Sequence, residues 1–251
     1  MADKNKGGAK GFIPGFVSDK LVIGFLDFTS KLQRPKEDLI ELHYEYNKDI
    51  WKTSKNKCMK AYKQKWYIEK QSELKGLLYG KGNQRKDKRY LKGRNLTAAE
   101  NSCTVIAVYN ALVSLCHGKV LVDLPDLIKT FEKRGIAYGG YYGTSVKAMM
   151  RFFENNKIVT EMYIGKMIDD DVIDDIDRCF DTFVMTAYNN KHDITDMIHT
   201  VCITKEKEGY VIHNEDGGKT YSSLKDAVRG FREGRGRVMM ISGLGRPQYL
   251  E

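Results

Sequence analysis

The segment that most constrains the fold of this chain is ENSCTVIAVYNALVSLC, residues 100–116. Its apolar residues recur at helical spacing, which predicts a helix whose apolar face is buried in a core. The residues that form this face are Val105, Ile106, Val108, Leu112, Val113 and Leu115. Asn101 and Ser102 precede the apolar run and are typical N-cap residues. The sequence therefore predicts a buried helix with Cys103 in its first turn.

A cysteine at this position is a candidate nucleophile. The first-turn N–H groups and the positive end of the helix dipole favour thiolate over thiol, and the thiolate is the attacking species. Inert packing is the alternative, because Cys is among the residue types most often buried in proteins. A nucleophilic Cys103 needs a base to take its proton and a polar group to orient that base.

The base is sought among five histidines, His43, His117, His192, His199 and His213. The first three lie in a charged helical stretch, at a helix end and in a polar loop. His199 differs because it opens HTVCIT, which a charged turn joins to GYVIHNEDGG in the pattern of a β-hairpin. We therefore expect His199 to lie at the start of a strand.

The hairpin pattern also suggests the orienting group. If residues 205–208 form the loop, His199 faces Asn214 on the returning strand. Opposed Cβ atoms lie roughly 4.5 to 5.5 Å apart, so the amide oxygen can accept from an imidazole N–H. Asp216 shares the face of Asn214 and replaces it if the register differs, whereas His213 points to the opposite face.

The order of these three residues along the chain resembles that of the papain-like cysteine peptidases. A cysteine at a helix start comes first, then a histidine that opens a strand, then an asparagine on the returning strand. The resemblance is to their compact bacterial branch, which includes the bacteriocin-leader-processing peptidases and stand-alone relatives. ENSCTVIAVYNAL, GGYYGTSVKAMMRFF and HTVCITKEKEGYVIHNEDGG carry it, over about residues 95–243. It implies Cys103 as nucleophile, His199 as general base and acid, and Asn214 as the orienting residue.

Two positions depart from the family pattern. Thr104 follows the cysteine where the family commonly has glycine, and Thr97 stands where the family places an oxyanion-stabilising glutamine. Asn95, Asn101 and the backbone N–H of Cys103 are the groups left for that role. The sequence does not choose among them.

Helical patterns precede strand patterns after residue 96, which predicts an α+β domain with an antiparallel sheet. The resemblance implies that this domain has the papain-like fold, in which the helical layer that carries the nucleophile packs on the sheet. Residues 1–95 are predicted to be a basic helical extension or pro-segment, with an exposed linker at 80–95, and residues 96–251 the peptidase domain.

The net charge of +9 is concentrated in the first third of the chain. Residues 1–100 hold 23 Lys and Arg against 12 Asp and Glu, whereas the remainder holds 19 against 21. No nucleic-acid-binding motif accompanies this charge, so nucleic acid is not the expected partner. No apolar run is long enough to span a membrane, and the acidic run at 168–177 is expected to be a solvated helix face.

The sequence gives weaker indications of the cellular compartment and of cofactors. The five cysteines are widely spaced, and no signal peptide is evident, so we expect a reducing cytoplasmic location, or export without a standard signal peptide. No metal-ligand spacing or nucleotide-binding motif is present, so neither metal nor cofactor is expected.

The sequence thus predicts a cysteine peptidase that acts on a peptide or protein through an acyl-enzyme. An amidase or acyl transferase on the same fold, or a catalytically weak peptide-binding module, are the alternatives. Oligomeric state is left open.

Overall fold

The computed structural model describes residues 18–53, 66–80, 97–117, 123–140, 142–191, 197–215 and 219–247. Helices α1 to α8 cover Asp19–Leu32, Glu37–Thr53, Ala98–Asn101, Cys103–Leu115, Leu124–Arg134, Val146–Asn155, Asp170–Cys179 and Leu224–Arg232. Strands β1 to β6 cover Ile158–Ile164, Thr182–Tyr188, Ile198–Glu206, Gly209–His213, Thr220–Tyr221 and Val238–Pro247. Short 3-10 turns lie at Gln71–Leu74, Ala137–Gly140 and Gly165–Met167.

The strands form one antiparallel sheet in the order β1-β6-β2-β3-β4-β5. One face packs against a core that contains α4, α5 and α6, and the other against a core made with α7 and α8. The predicted α+β class with an antiparallel sheet is confirmed. Among the described residues, no helix is both long and apolar enough to cross a membrane.

Helix α4 lies in the middle of the helical layer. Eleven of its thirteen residues are buried, and only Leu112 and Ser114 are partly exposed. The helix packs on β3 and β2, and its apolar side chains join the core from Val105 to Leu115. The predicted buried helix is therefore confirmed, with Cys103 as its first residue.

The predicted N-cap of α4 differs from the structure. The hydroxyl of Ser102 donates back to the carbonyl of Ala98 instead of accepting from the first turn of α4, because α3 ends immediately before it. Helix α6 is capped by Ser145, whose hydroxyl accepts from Ala148 N–H. The neighbouring Thr144 forms a β-bridge with Ile136 and a hydrogen bond with Tyr79.

Helices α1 and α2, from the basic first third, pack on the later elements. Asp19 of α1 accepts hydrogen bonds from Tyr188 and Arg237 at one end of the sheet. His43 of α2 forms a buried 2.8 Å contact through Nδ1 with Glu132 of α5, and burial raises the pKa of that carboxyl although His43 and Gly80 N–H oppose the shift. The division at residue 95 stays a prediction, and its linker lies outside the described residues apart from Gly80.

The segment 66–80 contains the 3-10 turn Gln71–Leu74 and is held by polar side chains. Asn110 in α4 accepts from Ile68 N–H at 2.7 Å and donates to the Ile68 carbonyl at 3.0 Å. The carboxylate of Glu69 lies 2.8 Å from Nδ1 of buried His213. The main chain of this segment thus obtains hydrogen-bond partners in the core without joining the sheet.

We predict that Asn110→Ala lowers the free energy of unfolding by about 3 kcal/mol, since it leaves the buried N–H and C=O of Ile68 unpaired. Urea unfolding measures the change. Asn155→Ala is the matched control, because Asn155 is exposed at the end of α6 and should change stability little. Equal stability of the two variants would contradict the role of Asn110.

Candidate active site

Cys103 lies where the N-terminus of α4 meets the first residues of β3. Its sulfur is 3.9 Å from the main-chain carbonyl oxygen of Ile198, and the residue is 8% exposed. The first N–H groups of α4 have no carbonyl partner within the helix, so they give this end of the helix its positive partial charge. The fold therefore places the thiol at the positive end of a buried helix.

His199 is the second residue of β3, at the same end of the sheet. Its ring stacks on Phe231 of α8, with centroids 5.9 Å apart. Its Nε2 lies 3.3 Å from the main-chain carbonyl oxygen of Asn214. A carbonyl can only accept, so Nε2 carries the proton and Nδ1 is the nitrogen left to accept a proton from the thiol.

The pKa of Cys103 shows how the two side chains interact. Burial alone raises the pKa of the thiol, but the hydrogen bond and the charge of His199 oppose it. The N–H of Thr200 and the hydroxyl of Thr104 add smaller effects in the same direction. The result is a pKa below the ordinary value for cysteine, which favours the reactive thiolate.

A chain of threonine hydroxyls lies behind the thiol. The Thr104 hydroxyl on α4 is 3.1 Å from that of Thr200 on β3, which is 3.0 Å from that of Thr186 on β2. All three are buried. The residue that departs from the family's glycine is therefore directed into the interface between helix and sheet, where it fixes their relative position.

The predicted hairpin register is wrong by two residues. Glu206 pairs with Gly209 and Cys202 with His213, so the loop contains only Lys207 and Glu208. The ladder ends at His213, and Asn214 adopts a left-handed backbone with φ of 66°. Strand alternation therefore does not apply beyond His213.

Asn214 approaches His199 through its main chain and not through its amide. The Asn214 side chain accepts from Gln71 N–H at 2.7 Å and contacts the Gln71 side chain at 3.3 Å. Only its carbonyl oxygen reaches the imidazole. Its predicted orienting role stays a prediction, with the carbonyl as the group that can perform it.

Glu215 is a residue that the sequence analysis missed. One carboxylate oxygen lies 3.7 Å from Nε2 of His199, and the other accepts from Arg235 at 2.7 Å. A carboxylate at this distance stabilises the imidazolium that forms when the thiol loses its proton. The signal was present in the sequence Asn-Glu-Asp, but strand alternation assigns Glu215 to the wrong face because the ladder stops two residues earlier.

Of the groups considered for the oxyanion role, all but Asn95 lie in the described part of the chain. The N–H of Cys103 lies at the start of α4, and Asn101 is buried at the end of α3, where its amide makes no hydrogen bond with other described residues. Thr97 forms a β-bridge with Leu78. Asn95 and the alternative acidic residue Asp216 lie outside the described residues.

The other described cysteines and histidines differ from this pair. Burial raises the pKa of Cys116 and, further, that of Cys202. His213 is enclosed by Tyr67, Glu69 and Thr204, and His117 lies on the surface against Arg246. His192 and Cys58 are outside the described residues.

Comparisons with known proteins add no relative: no family model matches the chain, and no curated protein matches it significantly.

We predict that iodoacetamide alkylates Cys103 with an apparent pKa below that of a free thiol, because His199 stabilises the thiolate. The pH profile is the measured quantity, since burial slows the absolute rate at every pH. Peptide mapping by mass spectrometry assigns the site. His199→Asn should shift the profile to higher pH.

His117→Asn serves as the control, because His117 is an exposed histidine remote from the thiol. An apparent pKa for Cys103 at or above that of a free thiol, or an identical profile in His199→Asn, would contradict the pairing.

A second prediction distinguishes the effect of the Glu215 carboxylate on His199 Nε2 from that of the Asn214 residue. Glu215→Gln should raise the apparent pKa of Cys103 by roughly half a unit, the size expected for a partly exposed charge next to the imidazolium. Asn214→Gly keeps the carbonyl and tolerates φ of 66° but loses the two hydrogen bonds to Gln71, so it should shift the profile less than Glu215→Gln does. The opposite ranking of the two variants would make the Asn214 amide the orienting group.

Proposed function

We propose that this protein is a papain-like cysteine peptidase. The observation that carries the proposal is the position of Cys103 at the start of a buried helix, with its sulfur 3.9 Å from the carbonyl of Ile198, the residue that precedes His199 on β3. His199 lowers the pKa of this thiol, which burial alone would raise. The helical layer on an antiparallel sheet, with the thiol on the helix and the base on the strand, is the arrangement that this chemistry uses in the papain-like family.

In the first step, Nδ1 of His199 holds the proton of Cys103, and the thiolate attacks the carbonyl carbon of a peptide bond. A C–S bond forms while the carbonyl π electrons move onto oxygen. The N–H of Cys103 lies at the helix start where it can donate to this oxyanion, and the buried Asn101, two residues earlier in the chain, supplies an amide on the same side of the helix start.

In the second step, the tetrahedral intermediate collapses. The C–N bond breaks, and imidazolium His199 gives its proton to the departing amine, which leaves a thioester on Cys103. Water then attacks the thioester with His199 as general base, releasing the acid and the thiol. Glu215 and the Asn214 carbonyl hold the ring in the orientation that serves both transfers.

The geometry around the thiol does not depend on the nature of the leaving group. An amidase or an acyl transferase would use the same Cys103, His199 and orienting groups, and would differ only in the acyl donor or in an amine that replaces water. The choice of peptide hydrolysis depends on the family resemblance of the three sequence segments, so the test must distinguish these reactions.

We predict that the purified chain generates new peptide termini in a complex peptide mixture, and that Cys103→Ala lowers the rate by about a thousandfold or more. Mass spectrometry with terminal labelling detects the products. Cys179→Ala is the matched control, because Cys179 is exposed on α7 and lies far from His199 in the fold. It should keep full activity.

Three outcomes would redirect the assignment. Amide products in the presence of added amines would indicate an acyl transferase, and ammonia released from side-chain amides without chain cleavage would indicate an amidase. Peptide binding with no new termini would indicate a binding module. Equal cleavage by wild type and Cys103→Ala would remove Cys103 from the chemistry.

A further inference from the structure

A basic groove lies beside the candidate active site. It is bounded by the end of α8, by Lys191 just after β2 and by residues 235–237 just before β6. Its volume is about 420 Å³. The charged residues that line it are Lys191, Arg229, Arg232, Glu233, Arg235 and Arg237, together with the main chain of Gly236. Five of these six side chains are cationic, which makes the groove a candidate site for an anion.

Carboxylates of the protein already neutralise part of this charge. Arg237 pairs with Asp19, and Arg235 pairs with Glu215. Arg229 pairs with Asp226 on its own helix, where both side chains are exposed, so the pairing is weak.

Two cations of the groove remain for a ligand. Lys191 and Arg232 are exposed and form no ion pair with any described residue. An arginine presents a planar fork of N–H donors that matches a carboxylate. Arg232 and Lys191 therefore leave positive charge in the groove, which the exposed carboxylate of Glu233 offsets in part.

The groove adjoins the catalytic base through a short series of contacts. Phe231 carries the His199 ring, and the Arg235 guanidinium lies over the same phenyl ring, 4.5 Å from its centroid. Arg235 also donates to Glu215, the carboxylate near Nε2 of His199. The groove therefore borders the residues that contact the His199 ring and its Nε2.

A second depression on the other side of Arg229 and Arg232 is less suitable. Lys225 there pairs with Asp174, and Asp170 lines the wall. Arg229, Arg232 and Arg237 line both depressions, whereas Arg235, which lies over Phe231 and pairs with Glu215, lines only the first. The first groove is therefore the one that adjoins the contacts of His199.

We propose that this groove binds an acidic side chain of the substrate, so that the peptidase selects peptides with Asp or Glu near the cleaved bond. The inference rests on the proposed function and narrows its substrate class. Arg232 and Lys191 supply the positive charge, while Arg235 remains engaged with Glu215 and keeps that carboxylate near the imidazole.

The test uses acetylated peptidyl acyloxymethyl ketones, which contain no free carboxyl terminus. The Cys103 thiolate attacks their methylene carbon, a thioether forms and the acyloxy group leaves as a carboxylate. Glu or Gln is placed at each of the first four positions from the reactive ketone. We expect Glu to label Cys103 about fivefold faster than Gln at one position or more, as for one solvent-exposed ion pair.

Arg232→Gln and Lys191→Gln should each reduce this preference, and the double variant should abolish it, while the rates with Gln probes stay unchanged. Arg178→Gln is the matched control, because Arg178 is an exposed arginine on α7 outside the groove. Equal labelling by Glu and Gln probes at all four positions, or a preference that survives in the double variant, overturns the proposal.

A separate binding measurement distinguishes failure of the groove from failure of the peptidase. Fluorescein-labelled Glu-rich and Gln-rich peptides are titrated onto the Cys103→Ala chain and followed by anisotropy. If no ketone labels Cys103 but the Glu-rich peptide binds tighter and loses this advantage in the double variant, the groove stands and the peptidase fails. Tighter binding of a single-stranded oligonucleotide than of the Glu-rich peptide overturns the assignment of an acidic peptide.

Discussion

The contact between the first turn of α4 and the start of β3 is the constraint on which the candidate site depends. The thiol belongs to the helical layer and the imidazole to the sheet, so their distance is set by how one layer lies on the other. The buried hydroxyls of Thr104, Thr200 and Thr186 link these layers just behind the sulfur. Hydrogen bonds in such a dry interface are directional, and they resist sliding of the helix along the strand.

The same burial has opposite consequences for two cysteines of this core. Cys202 lies on β3, three residues after His199. Burial and nearby carboxylates raise the pKa of its thiol. Cys103 is also buried, but His199 outweighs the desolvation of its thiolate. A dry environment penalises a lone charge and strengthens a paired one, so the presence of a partner decides which cysteine ionises.

The basic first third contributes to the site from a distance. Gln71 holds the side chain of Asn214 by two hydrogen bonds, and this leaves the Asn214 carbonyl free to accept from His199. Tyr79, at the end of the same segment, is buried and hydrogen-bonded to Thr144. The segment 66–80 therefore supports the turn that follows β4, whatever the remaining residues of the first third do.

Some features followed directly from the sequence. The apolar spacing of residues 103–115 and the short β-branched and aromatic runs after them predicted the α+β class, because helices and strands differ in period and composition. The positions of Cys103 and His199 at the starts of their elements followed from the same patterns. Each of these is a local property of the chain.

The orienting groups could not be obtained in this way, because they depend on where a strand stops. A two-residue loop replaced the predicted four-residue loop, and the left-handed backbone of Asn214 then turned its amide to Gln71 and its carbonyl to His199. That turn also brought Glu215 beside the imidazole. The sequence by itself determined that Cys103 lies at the start of a helix and His199 at the start of a strand. Only the tertiary structure decided what holds the His199 ring, since that depends on where the β3–β4 ladder ends and on the contact between Asn214 and Gln71, which are 143 residues apart in the chain.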